Sequence, residues 1–206
     1  MKLKLCILTF LLSNLLYSQI KKDSLFKKDI SSLVEEMEFM YGYDQLLREY
    51  TIYKTFNIAV TDSIEKLDSD KIEAFKNNRK FASDSLQSKI WKNYINPKDE
   101  QHTKRMIEII KKYGFPSNLR IRKYYKEKFE NPEFTALLLL VHSPKLYWEE
   151  LKNIMKKEFD QKRIDQCNYG FFLWHISGRK SWQPLLDNGY IMVEENGRST
   201  LKSTCK

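Results

Sequence analysis

Between Pro132 and Pro144 lies Phe134–Val141, a segment with apolar side chains on every side of a helix. Such a helix has no face to offer water, so it has to sit at the centre of the fold with other elements wrapped around it. Asn131-Pro132 is a cap-plus-proline start for it, and His142 closes it.

The rest of the chain supplies the wrapping. Phe26, Ile30, Leu33, Val34, Met37, Met40 and Tyr41 recur at spacings of three and four, which predicts a long amphipathic helix capped by Asp23 or Ser24. Gly42 weakens it without necessarily ending it. A charged helical stretch with a thin apolar stripe (Ile64, Leu67, Ile72, Phe75) is expected from Thr61-Asp62-Ser63 to about Ile95, with a break near Asn77-Asn78, at the periphery. Asn96 is a fitting cap for the next helix, with Pro97 at its first position and Asp99 closing a capping-box-like start. Met106, Ile107, Ile110 and Tyr113 form its buried face, Gly114 suits a left-handed stop, and Pro116 forbids continuation. Ser143-Pro144 opens another helix, facing inward through Tyr147, Trp148, Leu151, Ile154, Met155 and Phe159. A further one runs from about Ile164 to His175 and ends at Ser177-Gly178. Asn196-Gly197, between Tyr190–Glu195 and Arg198–Ser203, is the dipeptide of a type I′ hairpin turn. The expected fold class is mainly α: a single multi-helix domain with a short C-terminal β-hairpin near 190–203.

The N-terminus bears on compartment. Lys2 and Lys4 precede an apolar run from Leu5 to Leu16, and Leu16-Tyr17-Ser18 offers a small residue for cleavage before Gln19. This pattern is a signal peptide over 1–18, leaving 19–206 as an exported, periplasmic or secreted helical domain. No later stretch is long enough to span a bilayer. Cys6 leaves with the signal, so Cys167 and Cys205 remain where disulfides persist, either bridged or as two free thiols. The formal charge of +9, from 36 basic and 27 acidic residues, fits an anionic partner or a lysine-rich surface that serves only solubility.

One polar pair interrupts the apolar periodicity. At about 100° per residue, Asp44 and Arg48 fall within about 20° of Met37, on the centre of the first helix's apolar stripe. If the helix ends at Gly42, both are solvated. If it continues, two charges point at the core and neutralise one another at i, i+4, as a structural ion pair or as part of a polar site. His142 either caps the end of the central helix or joins that pair as a proton donor or acceptor. His102 falls on the charged, solvated side of its helix start, and His175 reads as a core or helix-end histidine. There is no Gly-rich phosphate loop, no G-x-S-x-G elbow, and no metal-ligand spacing of histidines or cysteines. No metal or other cofactor is therefore expected. The basic, aromatic run Arg120–Phe129 could meet nucleic acid, but export argues for a solvated face or an anionic-envelope contact through Lys123, Lys126 and Lys128.

Asp44-Gln45-Leu46-Leu47-Arg48 resembles the D-Q-x-x-R element of an uncharacterised bacterial domain-of-unknown-function family of often exported helical proteins. The likeness continues in His102-Thr103, in Met106–Lys112 leading to Gly114-Phe115-Pro116, and in Ala136–His142, where the family has a leucine-rich helix ending in histidine. It covers roughly residues 30–180. The resemblance implies a helical domain without an established activity and associates Asp44, Gln45, Arg48, Gly114, Pro116 and His142 as matching positions. The family's Asp-Arg pair in its last helix is replaced here by Phe172-Leu173-Trp174-His175. Its Tyr-Gly-rich segment is only loosely matched by Gly178–Gln183, and Arg120–Glu130 has no counterpart.

The expected function is an exported helical binding or interaction domain with a polar ligand site, in which Arg48 and Gln45 are binding candidates. Its partner would be a protein or an anionic envelope ligand. The alternative is a hydrolase-like enzyme in which His142 and Asp44 do acid–base chemistry and Arg48 holds an anionic group.

Overall fold

The computed structural model describes residues 2–52, 58–78, 83–125, 134–195 and 198–205. At its centre is α7 (Ala136–Val141), with Ala136, Leu137, Leu139 and Leu140 all buried. Thr135 caps it, its hydroxyl accepting from the Leu137 N–H at 3.3 Å; Asn131-Pro132, expected to do this, lies outside the described residues. Around α7 pack α1 (Lys2–Ile52), α5 (Asn96–Tyr113) and α9 (Gln166–Ile176).

α1 passes through Gly42 unbroken. Phe26, Ile30, Leu33, Val34, Met37 and Met40 are its buried face, so the stripe read from the sequence is the packed one. The charged stretch that follows is not one helix from Thr61 with a single break. It forms α2 (Ile58–Glu65), α3 (Ser69–Asn78) and α4 (Asp84–Ile90). Its stripe is too thin to bind a continuous helix to the core, and Ile64 and Ile90 are its buried apolar anchors among the described residues.

Asn96 is not a helix cap, which corrects the sequence expectation. Its φ and ψ are −57° and −43°, helical values. Chain continuity from α4 into α5 runs through a π turn over Trp91–Ile95, closed by the Asn96 N–H donating to the Trp91 carbonyl. Pro97 explains the widening. It has no N–H, and its ring would crowd the carbonyl of Asn93 four residues back; a π turn opens that space.

α5 ends at Gly114, with φ 77° and ψ 165°. A buried charge network fixes this end. Glu158, on α8 (Trp148–Asp160), accepts from the Phe115 N–H at 2.8 Å, from Arg163 at 3.1 Å and from Lys22 at 3.5 Å. Arg120, on α6 (Asn118–Tyr124), donates to the carbonyls of Phe115 (2.7 Å) and Tyr113 (3.0 Å) and to Asp23 (2.6 Å). Arg120 is therefore part of the core and not of a solvated basic face; Lys126 and Lys128 lie outside the described residues.

A Cys167–Cys205 disulfide ties α9 to the C-terminal tail. The tail follows α10 (Gln183–Leu186) and an antiparallel hairpin, β1 (Tyr190–Glu195) with β2 (Arg198–Ser203), in register from Tyr190↔Ser203 to Glu195↔Arg198. The strands match the expected bounds, and Asn196-Gly197 lies outside the described residues. Among the described residues, no helix is long and apolar enough to cross a membrane.

A Cβ at position 114 would come within 2.6 Å of Arg163 Cδ and 3.0 Å of Glu158 Oε2, at a positive φ. Gly114→Ala is expected to lower stability by about 2–4 kcal/mol, measured by urea denaturation. With the bridged cysteines 38 positions apart in the chain, Cys205→Ser should remove about 3–4 kcal/mol in the same assay, a difference that vanishes when both proteins are reduced.

Candidate functional site

Because α1 continues through Gly42, Asp44 and Arg48 stay on its inner face. Asp44 is 5% exposed and holds one partner on each side. Arg48 Nε donates to its Oδ1 at 3.0 Å, and Gln45 Nε2 donates to its Oδ2 at 2.7 Å. His142, at the C-terminal end of α7, brings Nδ1 to 2.9 Å from Oδ2 and 3.2 Å from Oδ1. The histidine thus occupies the C-cap position of α7 while its ring turns to Asp44, beside the Asp44–Arg48 pair.

Arg48 also bonds Asp99, through Nη2, and its guanidinium lies 5.1 Å from the Trp91 ring centroid. Two carboxylates hold it, so it is a brace between α1 and α5. From the sequence Asp99 is expected only as a helix-start acid. The signal for its inward position was present: it lies within about 20° of Met106 on the wheel of α5, the same relation that Asp44 has to Met37. Trp91 offered no such signal, because its approach depends on the π turn.

Electrostatics differ between the two carboxylates. Burial pushes the Asp44 carboxyl up, but hydrogen bonding and charge from His142, then from Arg48, outweigh it and hold it below its usual range. For Asp99 burial prevails over the pull of Arg48, and the nearby Asp44 charge adds to it, so its carboxyl is held above the usual range. An ionised Asp44 can only accept, which assigns the proton on His142 to Nδ1. In the neutral ring, Nε2 then carries the lone pair.

The cluster is open on one side. A cleft of about 490 Å³ is lined by Lys92, Asn96, Pro97, Asp99, Glu100, His142 and Pro144. The His142 side chain is 26% exposed while that of Asp44 is 2% exposed. Solvent therefore reaches the imidazole and not the carboxylate that orients it. Such an arrangement can accept a proton from a hydroxyl or water, or bind a polar group by a charge-assisted hydrogen bond.

The other histidines lie apart from this bond. His102 is buried, 6% exposed, against the expectation that it is solvated; the α5 face it occupies turns toward α1 and sets its ring edge-on to Tyr43. His175, in the last turn of α9, packs against Phe171 and Trp174. The grouping Asp165–Cys167–Cys205 has metal-ligand chemistry, but its two sulfurs are joined to each other.

Compared with family models, with curated proteins and with solved structures, the chain matches none.

Arg48→Met would leave the carboxylates of Asp44 and Asp99 without their shared cation; a stability loss of about 3–5 kcal/mol is expected by urea denaturation. His175 adds a pH dependence. Burial, then the charges of Arg179 and His142, lower it from 6.5 to about 4. Between those values the unfolded chain binds the proton that the folded one refuses. The His175 contribution is thus full above about pH 6.5 and declines as pH falls toward about 4. Thermal melts across that range should show a smaller decline for His175→Gln than for the wild type.

Proposed function

We propose that the protein is an exported helical binding domain of the family it resembles, and that it takes a small polar ligand in the cleft at His142. The observation that carries this reading is the hydrogen bond from His142 Nδ1 to the buried Asp44. It fixes the ring and leaves the opposite nitrogen for a ligand at the cleft. Asp44, Gln45 and Arg48 act behind the imidazole as its support. An anionic group on the ligand falls to Lys92, exposed at the cleft wall, in place of Arg48.

A ligand-observed NMR screen of small polar compounds should find binders that compete for one site. His142→Asn should weaken them by about tenfold or more while the protein stays folded. Equal affinity in that variant would refute the reading.

A hydrolytic reading is favoured by the same bond. His142 would draw a proton from water, Asp44 would steady the imidazolium, and the imidazolium would return the proton to the leaving group. Chromogenic ester and phosphoester substrates test it. Turnover that falls by about 10²–10⁴ in His142→Asn supports an enzyme, and turnover indifferent to that change removes it.

A further inference from the structure

A second cavity, of about 400 Å³, opens between α1 and α5, lined among others by Phe39, Met40, Lys98, His102 and Arg105. Three features of its wall call for an occupant. Phe39 is 73% exposed on a helix whose opposite face is core. His102 is buried and lines the cavity, and among the described residues its Nδ1 has no hydrogen-bond partner, a condition that native folds rarely leave unsatisfied. Burial, opposed by the Asp44 charge and helped by those of Lys98 and Arg48, lowers the pKa of His102 and so favours the neutral ring, which gives one hydrogen bond and accepts one.

Lys98 stands one helical turn before His102, on the same face of α5. Its contacts are neutral: it donates to Gln101 Oε1 at 2.7 Å and lies 5.2 Å from the Tyr43 ring centroid. Arg105 differs, since Glu36 takes it in a fork at 2.6 and 2.9 Å and Glu108 adds a bond at 2.9 Å. The charge at this cavity that still lacks a counter-ion among the described residues is therefore positive, and it is placed beside an apolar surface.

We infer that this cavity binds a small carboxylate with an apolar tail, its carboxylate held between Lys98 and His102 and its tail lying over Phe39 and Met40. The volume suits a compact ligand and not a polymer. The site is distinct from the cleft at His142 and does not depend on the function proposed for that cleft.

Titration of isotope-labelled protein with octanoate, followed by amide NMR, tests this, with 1-octanol as the uncharged control. Saturable shifts are expected at residues of α1 and α5 around Phe39 and His102, and octanol should bind about tenfold more weakly. Lys98→Gln should bring octanoate down to the level of octanol, and Phe39→Ser should weaken both. Both positions lie at the protein surface, so these variants keep the fold. Shifts that do not saturate, that map elsewhere, or that are equal for octanol and octanoate would overturn the assignment, as would unchanged octanoate binding in Lys98→Gln.

Discussion

A carboxylate cannot stay ionised inside a helical core without donors, and Asp44 draws its donors from two elements. Arg48 and Gln45 come from its own helix and His142 from the end of the central one. That requirement sets the geometry of the whole end of the molecule. It holds α7 against α1, and through Arg48 it reaches across to Asp99 on α5. Were any of these helices to shift by a turn, a charge would be left buried without its partner, which is far more unfavourable than loosening an apolar contact. The polar cluster therefore selects one packing of three helices that greasy surfaces alone would permit in several.

A second network does the same work at the other end of α5. Glu158 gathers Lys22, Arg163 and the Phe115 N–H, while Arg120 gathers Asp23 and two carbonyls. The close approach of Arg163 and Glu158 to Gly114 leaves no room for a side chain there. The two networks differ in access. The network at Gly114 lies mostly behind protein, with Glu158 and Arg163 both about as buried as core leucines, whereas His142 faces a cleft. Similar chemistry is thus closed off at one end and borders solvent at the other.

Much of this arrangement was legible in the sequence wherever it follows from periodicity. The stripe from Phe26 to Met40 continues in phase to Asp44 and Arg48, so their inward position could be read from angles alone. The all-apolar run over Ala136–Val141 announced the centre. The hairpin strands could be read from the Asn196-Gly197 dipeptide between two short runs. What escaped depended on neighbours distant in sequence. His102 and Asp99 sit among charged residues in the chain, and only the packing of α5 on α1 and the reach of Arg48 bury them. Arg120 looked like part of a basic surface because its acceptors, the carbonyls of Tyr113 and Phe115, belong to a turn that sequence does not show. Asn96-Pro97 carried a real helix-start signal, and the π turn overrode it by absorbing the proline within one continuous helix.

That π turn has a consequence for how the cleft could diverge. Each helical residue advances the chain by about 100°, so one extra residue in a turn rotates everything before it relative to everything after. Trp91 meets the guanidinium of Arg48, and Lys92 meets the cleft, only because of this offset. Asp44, Arg48, Asp99 and His142 all lie outside the turn. The outer wall of the cleft is therefore a separable part: losing a single residue there would re-aim its aromatic and basic side chains while the buried charges stayed in place. A lineage could reshape the mouth of the cleft by altering the phase of one helix, without redesigning the buried charges beneath it.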